Sequence, residues 1–486
     1  MTLVYRIQPN RFSRQAWYRG RPGSMGGVLF VAGIWAALGG GCAKAPADHP
    51  GDAGTADSGD AGKTPDAEEN PLAGTVTLPL IGAHDVQPLA FGQNYWNWEP
   101  TWGDAIAGTD ALVKAAGVKL IRSGGANNEL QTPDPFTNTI LDGVVAYGRG
   151  AGAELVMQVP LVKNSAGNAA TPEDAAAMVT YANVTKGYGI KYWSIGNEPD
   201  LYTMQSLQPS TYTAADYCAT FRAYATAMKA ADPSIRILGP ELSWKYITGN
   251  DWLTPFLQGC HDVVDIVSVH RYPFAPDRAT TAAAFGDAPN FRQLIHTLRA
   301  NLDSHGLAST PLALTEEHIT YDGDPGVSIQ TASPQTFYAA MWVADVMGVA
   351  LEENLWTAAF WHIADTSGGW KLAFIIGTTP QPSYYASALV ATSFSGQMLV
   401  PAGVPSGFSV YAAHDPTVAQ TVTLVLNKRP GRARLVLAFD GNRSHEIEFP
   451  AESMTLVSLA DGTDAPKMVR YTKDLAAAGR APAPVP

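Results

Sequence analysis

From residue 89 onward the chain alternates short apolar runs with longer stretches whose apolar positions recur at helical spacing. The runs are LAFGQN (89–94), VKLIRS (118–123), ELVMQV (154–159), KYWSIGN (191–197), IRILGP (235–240), DIVSVH (265–270), PLALTE (311–316) and TAAFWH (357–362). Each has strand length and is apolar on both faces, as a strand covered on both sides must be. Between them, helix signals recur: Thr171-Pro172-Glu173-Asp174 supplies an N-cap, a proline in the first turn and two acids at the positive end of the helix dipole. Eight strand–helix units over residues 89–395 predict an α/β fold, a (β/α)8 TIM barrel, with a doubly wound open sheet as the alternative. After a helical stretch at 383–393 the texture changes. VAQTVTLVLNK (418–428), RARLVLAFDG (432–441), HEIEFP (445–450) and SMTLVSLAD (453–461) alternate apolar and polar residues between turns rich in Asn, Gly and Pro. That pattern predicts a C-terminal antiparallel β-sandwich domain over 396–462. The segment 75–88, with TVTLPLIG at 75–82, adds an N-terminal strand to it, and 463–486, ending AAAGRAPAPVP, reads as a tail.

The first 74 residues have no such periodicity. Residues 1–41 carry five arginines and no acid and lead into GVLFVAGIWAALGGGC, a run too short and too glycine-rich for a membrane span but suited to a secretory signal. Leu38-Gly39-Gly40-Gly41 before Cys42 resembles a bacterial lipobox. That resemblance implies lipidation of Cys42 and an exported protein, held at the outer membrane or cell surface through a lipid anchor; the alternative is a plain secretion signal. Residues 42–74 hold seven acids, two lysines and almost nothing large and apolar, the composition of a disordered acidic linker.

Composition narrows the function. Hydrophobic residues make up 46% and charged residues 16% of the 486, which is globular, and the net charge of −12 excludes the basic footprint that nucleic acid requires. Cys218 and Cys260 fall on neighbouring predicted helices of an exported chain, where a disulfide can persist; two unpaired buried thiols are the alternative. With no HExxH, GxSxG, Walker or GxGxxG pattern present, neither a catalytic transition metal nor a cofactor is expected.

Active sites of (β/α)8 barrels lie at the C-terminal strand ends. There the fourth run ends in Gly196-Asn197-Glu198-Pro199 and the seventh in Thr315-Glu316-Glu317-His318. Two carboxylates on one rim are what glycosidic cleavage needs, one to protonate the leaving oxygen and one to attack or to activate water. WSIGNEPDLY (193–202), the TE at 315–316, IRSGG (121–125), VSVHRYP (267–273) and AFWH (359–362) together resemble clan A glycoside hydrolases. Within the clan they are most similar to family 44 endoglucanases and xyloglucanases, with families 39 and 79 close. Arg271 stands where the family 44 strand-six motif has an aromatic residue. The resemblance implies a retaining enzyme with Glu198 as acid/base and Glu316 as nucleophile. Asn197 would then bond the sugar 2-hydroxyl, Arg122 and Tyr272 would support ionised Glu316, and His270 and Trp361 would line the point of cleavage. A β-1,4-glucan or xyloglucan is the implied substrate; a xylan, β-xyloside or β-glucuronide, or a surface lectin without catalysis, are the alternatives.

The residues agree with these roles on their own terms. Like charges as close as a retaining pair push their pKa values apart, so that one carboxyl stays protonated, and Arg122 beside Glu316 is expected to hold that carboxylate ionised. His270 and Tyr272, two apart on a strand, share a face. Glu317 faces away from Glu316 and caps the next loop. Trp96 and Trp98, after the first strand, either stack on sugar rings or pack the barrel, as do Trp244 and Trp370. Glu241 is a competing strand-end carboxylate more simply used in a loop salt bridge. Asp322-Gly323-Asp324-Pro325-Gly326 is a tight acidic turn without the length of a calcium loop.

Overall fold

The computed structural model describes residues 71–79, 81–96, 106–130, 136–162, 170–243, 245–246, 251–322, 331–365, 372–439 and 443–486. The signal, Cys42, most of the acidic linker, Trp98, Trp244, Trp370 and all of the acidic turn but Asp322 lie outside the described residues.

Strands β1 (Leu72–Thr77) and β2 (His84–Asp85) precede β3 (Phe91–Tyr95), β4 (Leu120–Ser123), β5 (Glu154–Val159), β6 (Tyr192–Ile195), β7 (Arg236–Leu242), β8 (Ile266–Arg271), β9 (Leu312–Glu317) and β10 (Thr357–Phe360). The last eight close into one parallel barrel in chain order, with β10 beside β3, so the eight apolar runs are its staves. The Thr171 cap forms as a capping box, its hydroxyl taking the Asp174 N–H while Asp174 reaches back.

Side-chain alternation layers the barrel interior. Leu120, Val156, Tyr192, Leu238, Ile266, Ala313 and Trp356 fill its lower end as one apolar plug. Two residues further along the same inward faces come Arg122, Gln158, Ser194, Ser268 and Thr315, all fully buried and all polar. The chain thus turns from hydrocarbon to hydrogen-bonding groups within one strand period. Regular alternation from Ala313 and Thr315 would next bring Glu317 inward. Instead the pairing slips, Val269 opposite Leu314 and then His270 opposite Glu316, and this bulge aims Glu316 into the mouth and Glu317 away from it. A second slip between Pro240 and Leu242 does the same for Glu241.

Beyond the barrel, β11 (Ala364–Asp365), β12 (Ile375–Ile376) and β13 (Thr379–Pro380) form a small sheet. Then follow β14 (Gln397–Leu399), β15 (Phe408–Asp415), β16 (Gln420–Asn427), β17 (Ala433–Ala438), β18 (Ser444–Phe449), β19 (Ser453–Ala460), β20 (Lys467–Thr472) and β21 (Ala483–Pro484). A seven-stranded sheet in the order β2-β14-β15-β16-β19-β20-β21 faces a three-stranded one, β1-β17-β18, across a core that includes Val76, Phe408, Val410, Leu435, Phe449 and Val457. Three expectations are corrected. Residues 463–486 are no tail: β20 pairs with β19, and β21 with β20. The strand expected from residue 75 already starts at Leu72, inside the stretch read as linker, and it runs parallel to β17 rather than antiparallel. β15, with no counterpart among the expected strands, lies inside the seven-stranded sheet between β14 and β16.

The seven-stranded sheet is covered on both faces, because alternate residues such as Tyr411, Leu424, Leu426 and Leu456 join the barrel's own core. Between the two layers, helix Phe337–Glu352 is buried almost all round. Gly348 lets the Tyr411 ring lie against its backbone, where any Cβ would sit 2.2 Å from that ring. Asp345 accepts from Tyr411 Oη at 2.7 Å and from Lys428 Nζ at 2.5 Å.

Cys218, on helix Ala214–Ala231, and Cys260, ending helix Leu253–Cys260, are joined by a disulfide that decides the open alternative, with Cα atoms 5.9 Å apart. The crosslink spans 42 residues, which in the loop-entropy picture is worth about 4 kcal/mol. A Cys218→Ser/Cys260→Ser variant should therefore show a lower urea midpoint than the oxidised wild type, and reductant should lower the wild type to the same midpoint. Coincident curves with and without reductant would mean that the bond does not stabilise the fold.

Candidate active site

Arg122, on β4, is the centre of the barrel mouth and has no solvent exposure. Its Nη1 donates to Asn94 Oδ1 at 2.9 Å and to Glu316 Oε2 at 3.2 Å. Its Nη2 donates to Asn197 Oδ1 at 2.8 Å and pairs with Glu241 Oε2 at 3.1 Å. Asn94 is itself fixed by donating to the Thr315 carbonyl at 3.0 Å. One guanidinium therefore joins β3, β4, the turn after β6, β7 and β9.

Glu198 sits in that turn with φ 51°, and Glu241 has φ 57°. Both are non-glycine residues in the left-handed region, at a cost of roughly 1–3 kcal/mol each. The Glu198 N–H donates to the Glu241 carbonyl at 3.0 Å, so each holds the other's backbone. His270, buried on β8, bridges their side chains: Nδ1 lies 3.1 Å from Glu198 Oε1 and Nε2 2.9 Å from Glu241 Oε2. His270 Nδ1 is also 3.8 Å from Glu316 Oε2. Tyr272 Oη donates to Glu316 Oε1 at 2.6 Å. Trp361 and Trp96 form a wall beside this cluster, ring centres 6.1 Å apart, with Leu372 and Tyr272 packed against them. Gly125 makes room for it, since a Cβ there would meet the Trp361 ring at 2.7 Å.

Every expected site residue that is described thus converges on one mouth: Arg122, Asn197, Glu198, His270, Tyr272, Glu316, Trp361 and Trp96. The structure adds Asn94 and brings in Glu241, which the sequence offered only as a competing strand-end carboxylate. Glu241 is in no loop salt bridge. It is fully buried beneath the mouth and accepts from Ser268 Oγ at 2.9 Å and Thr315 Oγ1 at 2.7 Å besides its two cations. The signal that could have given its role was the neighbourhood: Ser268 and Thr315 occupy inward positions on the two following strands, and such polar groups need a common partner. Glu317 caps no loop either. It lies on the outer side of β9, fully buried, with neither carboxyl oxygen hydrogen-bonded among the described residues. Nearby Arg271 is taken up by Asp287, at 2.7 Å to both of its oxygens.

The charges follow from these contacts. Burial opposes ionisation of Glu241, but Arg122, His270 and Thr315 outweigh it and bring its pKa down to about 2. Burial would likewise discharge His270, yet Glu316, Glu198 and Glu241 hold it protonated, with a pKa raised to about 10. Both ring nitrogens are then donors. Glu316 is pushed up, first by burial and then by the charge of Glu198, against the pull of His270, Arg122 and Tyr272. Arg122 favours the ionised form of Glu316, as the sequence suggested, but it acts against burial and the charge of Glu198, so the charge of Glu316 is tied to that of its neighbours. Glu198, His270 and Glu316 are also the one group of three metal-capable side chains among the described residues, their donor atoms within 4.8 Å of one another. With both imidazole nitrogens engaged by carboxylates and a guanidinium alongside, the cluster is arranged to hold protons rather than an ion.

Comparison with known proteins agrees with this geometry. The profile of Glycoside hydrolase family 44 matches residues 147–272, a span that includes Asn197, Glu198, Glu241, His270 and Tyr272. Endoglucanase A of Paenibacillus lautus is 24% identical over 252 residues, which are 40% of this chain and 34% of that protein. By sequence and fold the chain is similar to clan A glycoside hydrolases, and most like family 44. It spans about a third of the length of Endoglucanase A. The fold is shared with CelM2, a bifunctional glucanase-xylanase from a metagenome library, at a TM-score of 0.62 and 16% identity, covering 81% of this chain and 100% of that one. A Paenibacillus polymyxa xyloglucanase from family 44 matches with TM-score 0.61 and 13% identity over 80% and 99% of the two chains. These glycoside hydrolase barrels carry the same closed eight-stranded architecture.

Glu317 gives this glycoside hydrolase fold a measurable pH signature. Burial and nearby Asp287 raise its pKa from 4.5 to about 8 against the pull of Arg271. The folded chain keeps a proton that the unfolded chain releases, so the stabilisation is complete below about pH 4.5 and drains away as pH rises towards 8. Glu317→Gln has no proton to lose there. Its unfolding free energy should fall between pH 5 and 8 by less than that of the wild type, the difference being on the order of 4 kcal/mol. Parallel pH profiles in urea titrations would mean that folded Glu317 is already ionised.

Proposed function

We propose that the chain is a retaining glycoside hydrolase that cleaves a β-linked polysaccharide, a β-1,4-glucan or xyloglucan, by double displacement. The observation that carries the reading is the spacing of Glu198 and Glu316, with an oxygen of each within 4.8 Å of the other in one mouth. A retaining pair stands about 5–5.5 Å apart, whereas an inverting pair leaves room for water at roughly 6.5–9.5 Å. Likeness to an endoglucanase and to glucanase, xylanase and xyloglucanase barrels supports the substrate class.

In this reading Glu198 keeps the shared proton on the oxygen not bonded to His270 and delivers it to the leaving glycosidic oxygen. Glu316, with Arg122 on one oxygen and Tyr272 on the other, attacks the anomeric carbon. Glu198, now ionised, takes a proton from the water that releases the glycosyl ester, and the anomeric configuration is retained. Asn197, whose Oδ1 accepts from Arg122, bonds the sugar 2-hydroxyl in this reading. Trp361 and Trp96 offer an apolar wall to a sugar face. A β-glucuronide would need a cation for its carboxylate, and Arg122 and His270, the cations described at the mouth, are already bound to carboxylates. The exported, lipid-anchored setting belongs to the proposal too. The Cys218–Cys260 disulfide supports an oxidising compartment.

The test is hydrolysis of xyloglucan, carboxymethyl-cellulose, mixed-linkage β-glucan, xylan and aryl β-glycosides, with the product anomer read by proton NMR. Wild type should release the β-anomer first. Glu316→Ala and Glu198→Ala should each lose about 10³-fold or more of kcat on polysaccharide. Azide should rescue them to products of opposite configuration, α from Glu316→Ala and β from Glu198→Ala. Binding without cleavage would establish a lectin, and activity that survives Glu316→Ala but not Glu317→Ala would move the nucleophile. Labelling with palmitate of wild type but not of Cys42→Ala would test the anchor.

A further inference from the structure

The two rim carboxylates do not touch the same cation closely, yet both cations touch one further carboxylate. Arg122 spans Glu316 and Glu241, and His270 spans Glu198 and Glu241. We propose that Glu241 is the positioning residue of the site, the buried anion that holds Arg122 and His270 in place and through them fixes the placement and proton state of Glu316 and Glu198 together. Its consequences for rate rest on the retaining-hydrolase reading; its consequences for the charge of His270 do not.

Four observations carry this. Glu241 has no solvent exposure, so it cannot meet a sugar and is no third catalytic residue. Its two oxygens take four donors from three other strands: Arg122 of β4, Ser268 and His270 of β8 and Thr315 of β9. Such a set meets the roughly four acceptor sites of a carboxylate and leaves it no freedom to turn. Its backbone is left-handed at a register slip and accepts the N–H of Glu198, also left-handed, so the two side chains are mutually indexed. Finally, His270 faces Glu198 from the turn after β6, Glu241 from β7, Glu316 from β9 and Arg122 from β4, with Tyr272 beyond Glu316 on its own strand end. Of the three carboxylates, Glu198 gains and loses a proton in the proposed cycle and Glu316 becomes an ester, so Glu241 alone stays charged throughout. As Glu198 gives up its proton, the Nδ1–H of His270 already points at Oε1, and the new charge is met without any donor having to move.

The experiment uses the full chain with 15N-labelled histidine and follows the His270 ring by NMR, assigned with His270→Gln. In the wild type His270 should remain an imidazolium, with both ring nitrogens protonated, through pH 8. In Glu241→Gln, which keeps shape and removes charge, it should titrate at least tenfold more easily, a full pH unit lower. Kinetics give the second arm. Glu241→Gln should lower kcat on both xyloglucan, whose leaving group needs a proton, and 2,4-dinitrophenyl β-cellobioside, whose leaving group does not, with little change in KM and with the alkaline limb of kcat/KM moved to lower pH. Ser268→Ala, which removes a neutral donor, should leave that limb in place. A folded Glu241→Gln with unmoved His270 titration and an unmoved pH profile would overturn the proposal and leave Glu241 as packing. Should the variant not fold, the wild type still decides: a neutral His270 ring at pH 7 would overturn it. If no substrate is cleaved, the hydrolase reading falls while the ring titration still judges the role of Glu241.

Discussion

A guanidinium buried at the barrel mouth constrains everything around it. A charge taken wholly out of water must be met by opposite charge and by acceptors, and the two Nη groups of Arg122 obtain them from Asn94, Asn197, Glu241 and Glu316, four groups on four different strands or strand ends. None of these partners can move without exposing the cation to hydrocarbon. The mouth is therefore rigid for an electrostatic reason before any packing is considered, and the left-handed turns at Glu198 and Glu241 persist because that network holds their side chains.

The barrel below makes such burial tolerable. Its inward faces are hydrocarbon through the layer of Leu120, Val156, Leu238 and Ile266, and only the next layer is polar. Water is shut out from beneath, so the fields of Arg122 and His270 act at full strength on the carboxylates above them. On the outer side, helix Phe337–Glu352 is gripped between barrel and seven-stranded sheet. Its Trp342 donates to Asp287 at 2.7 Å, the same carboxylate that neutralises Arg271 behind β8. The sandwich is thus connected to the rear of the strand that carries His270.

Most of this was legible in the chain. Eight apolar runs of strand length became eight staves, and the rim residues lay at their C-terminal ends, where a barrel gathers them. What the sequence could not reveal were the slips in pairing. Alternation assigns Glu317 to the inside and Glu316 to the outside, and only the bulge opposite Val269 and His270 reverses them; it leaves no mark in composition because both residues are Glu. Glu241 was visible as a strand-end carboxylate, but its inward, buried place was not, because it follows a proline at a second slip. The strand at Phe408–Asp415 was overlooked because it is sandwiched between two cores: with Phe408 and Val410 facing one and Tyr411 and Ala413 the other, it has no polar face to alternate with. Lys467–Thr472 was submerged in the low-complexity end that follows it.

Counting charges across the proposed cycle shows why three carboxylates and two cations suit the reaction. At rest, with one proton on the rim pair, the mouth holds two anions, Glu316 and Glu241, against Arg122 and His270 and is neutral. After the first displacement Glu316 is an uncharged ester and Glu198 is ionised, and the total is again zero. The net event is the passage of one negative charge from the Arg122 side of the mouth to the His270 side, from a contact of 3.2 Å to one of 3.1 Å, with Glu241 fixed between the two cations. Because neither cation moves and no water must enter to solvate the new anion, the environment needs almost no reorganisation as the charge crosses, which is the condition under which preorganised groups lower a barrier most. An acid/base carboxyl paired with Arg122 alone would have left one end of that passage without a counter-charge.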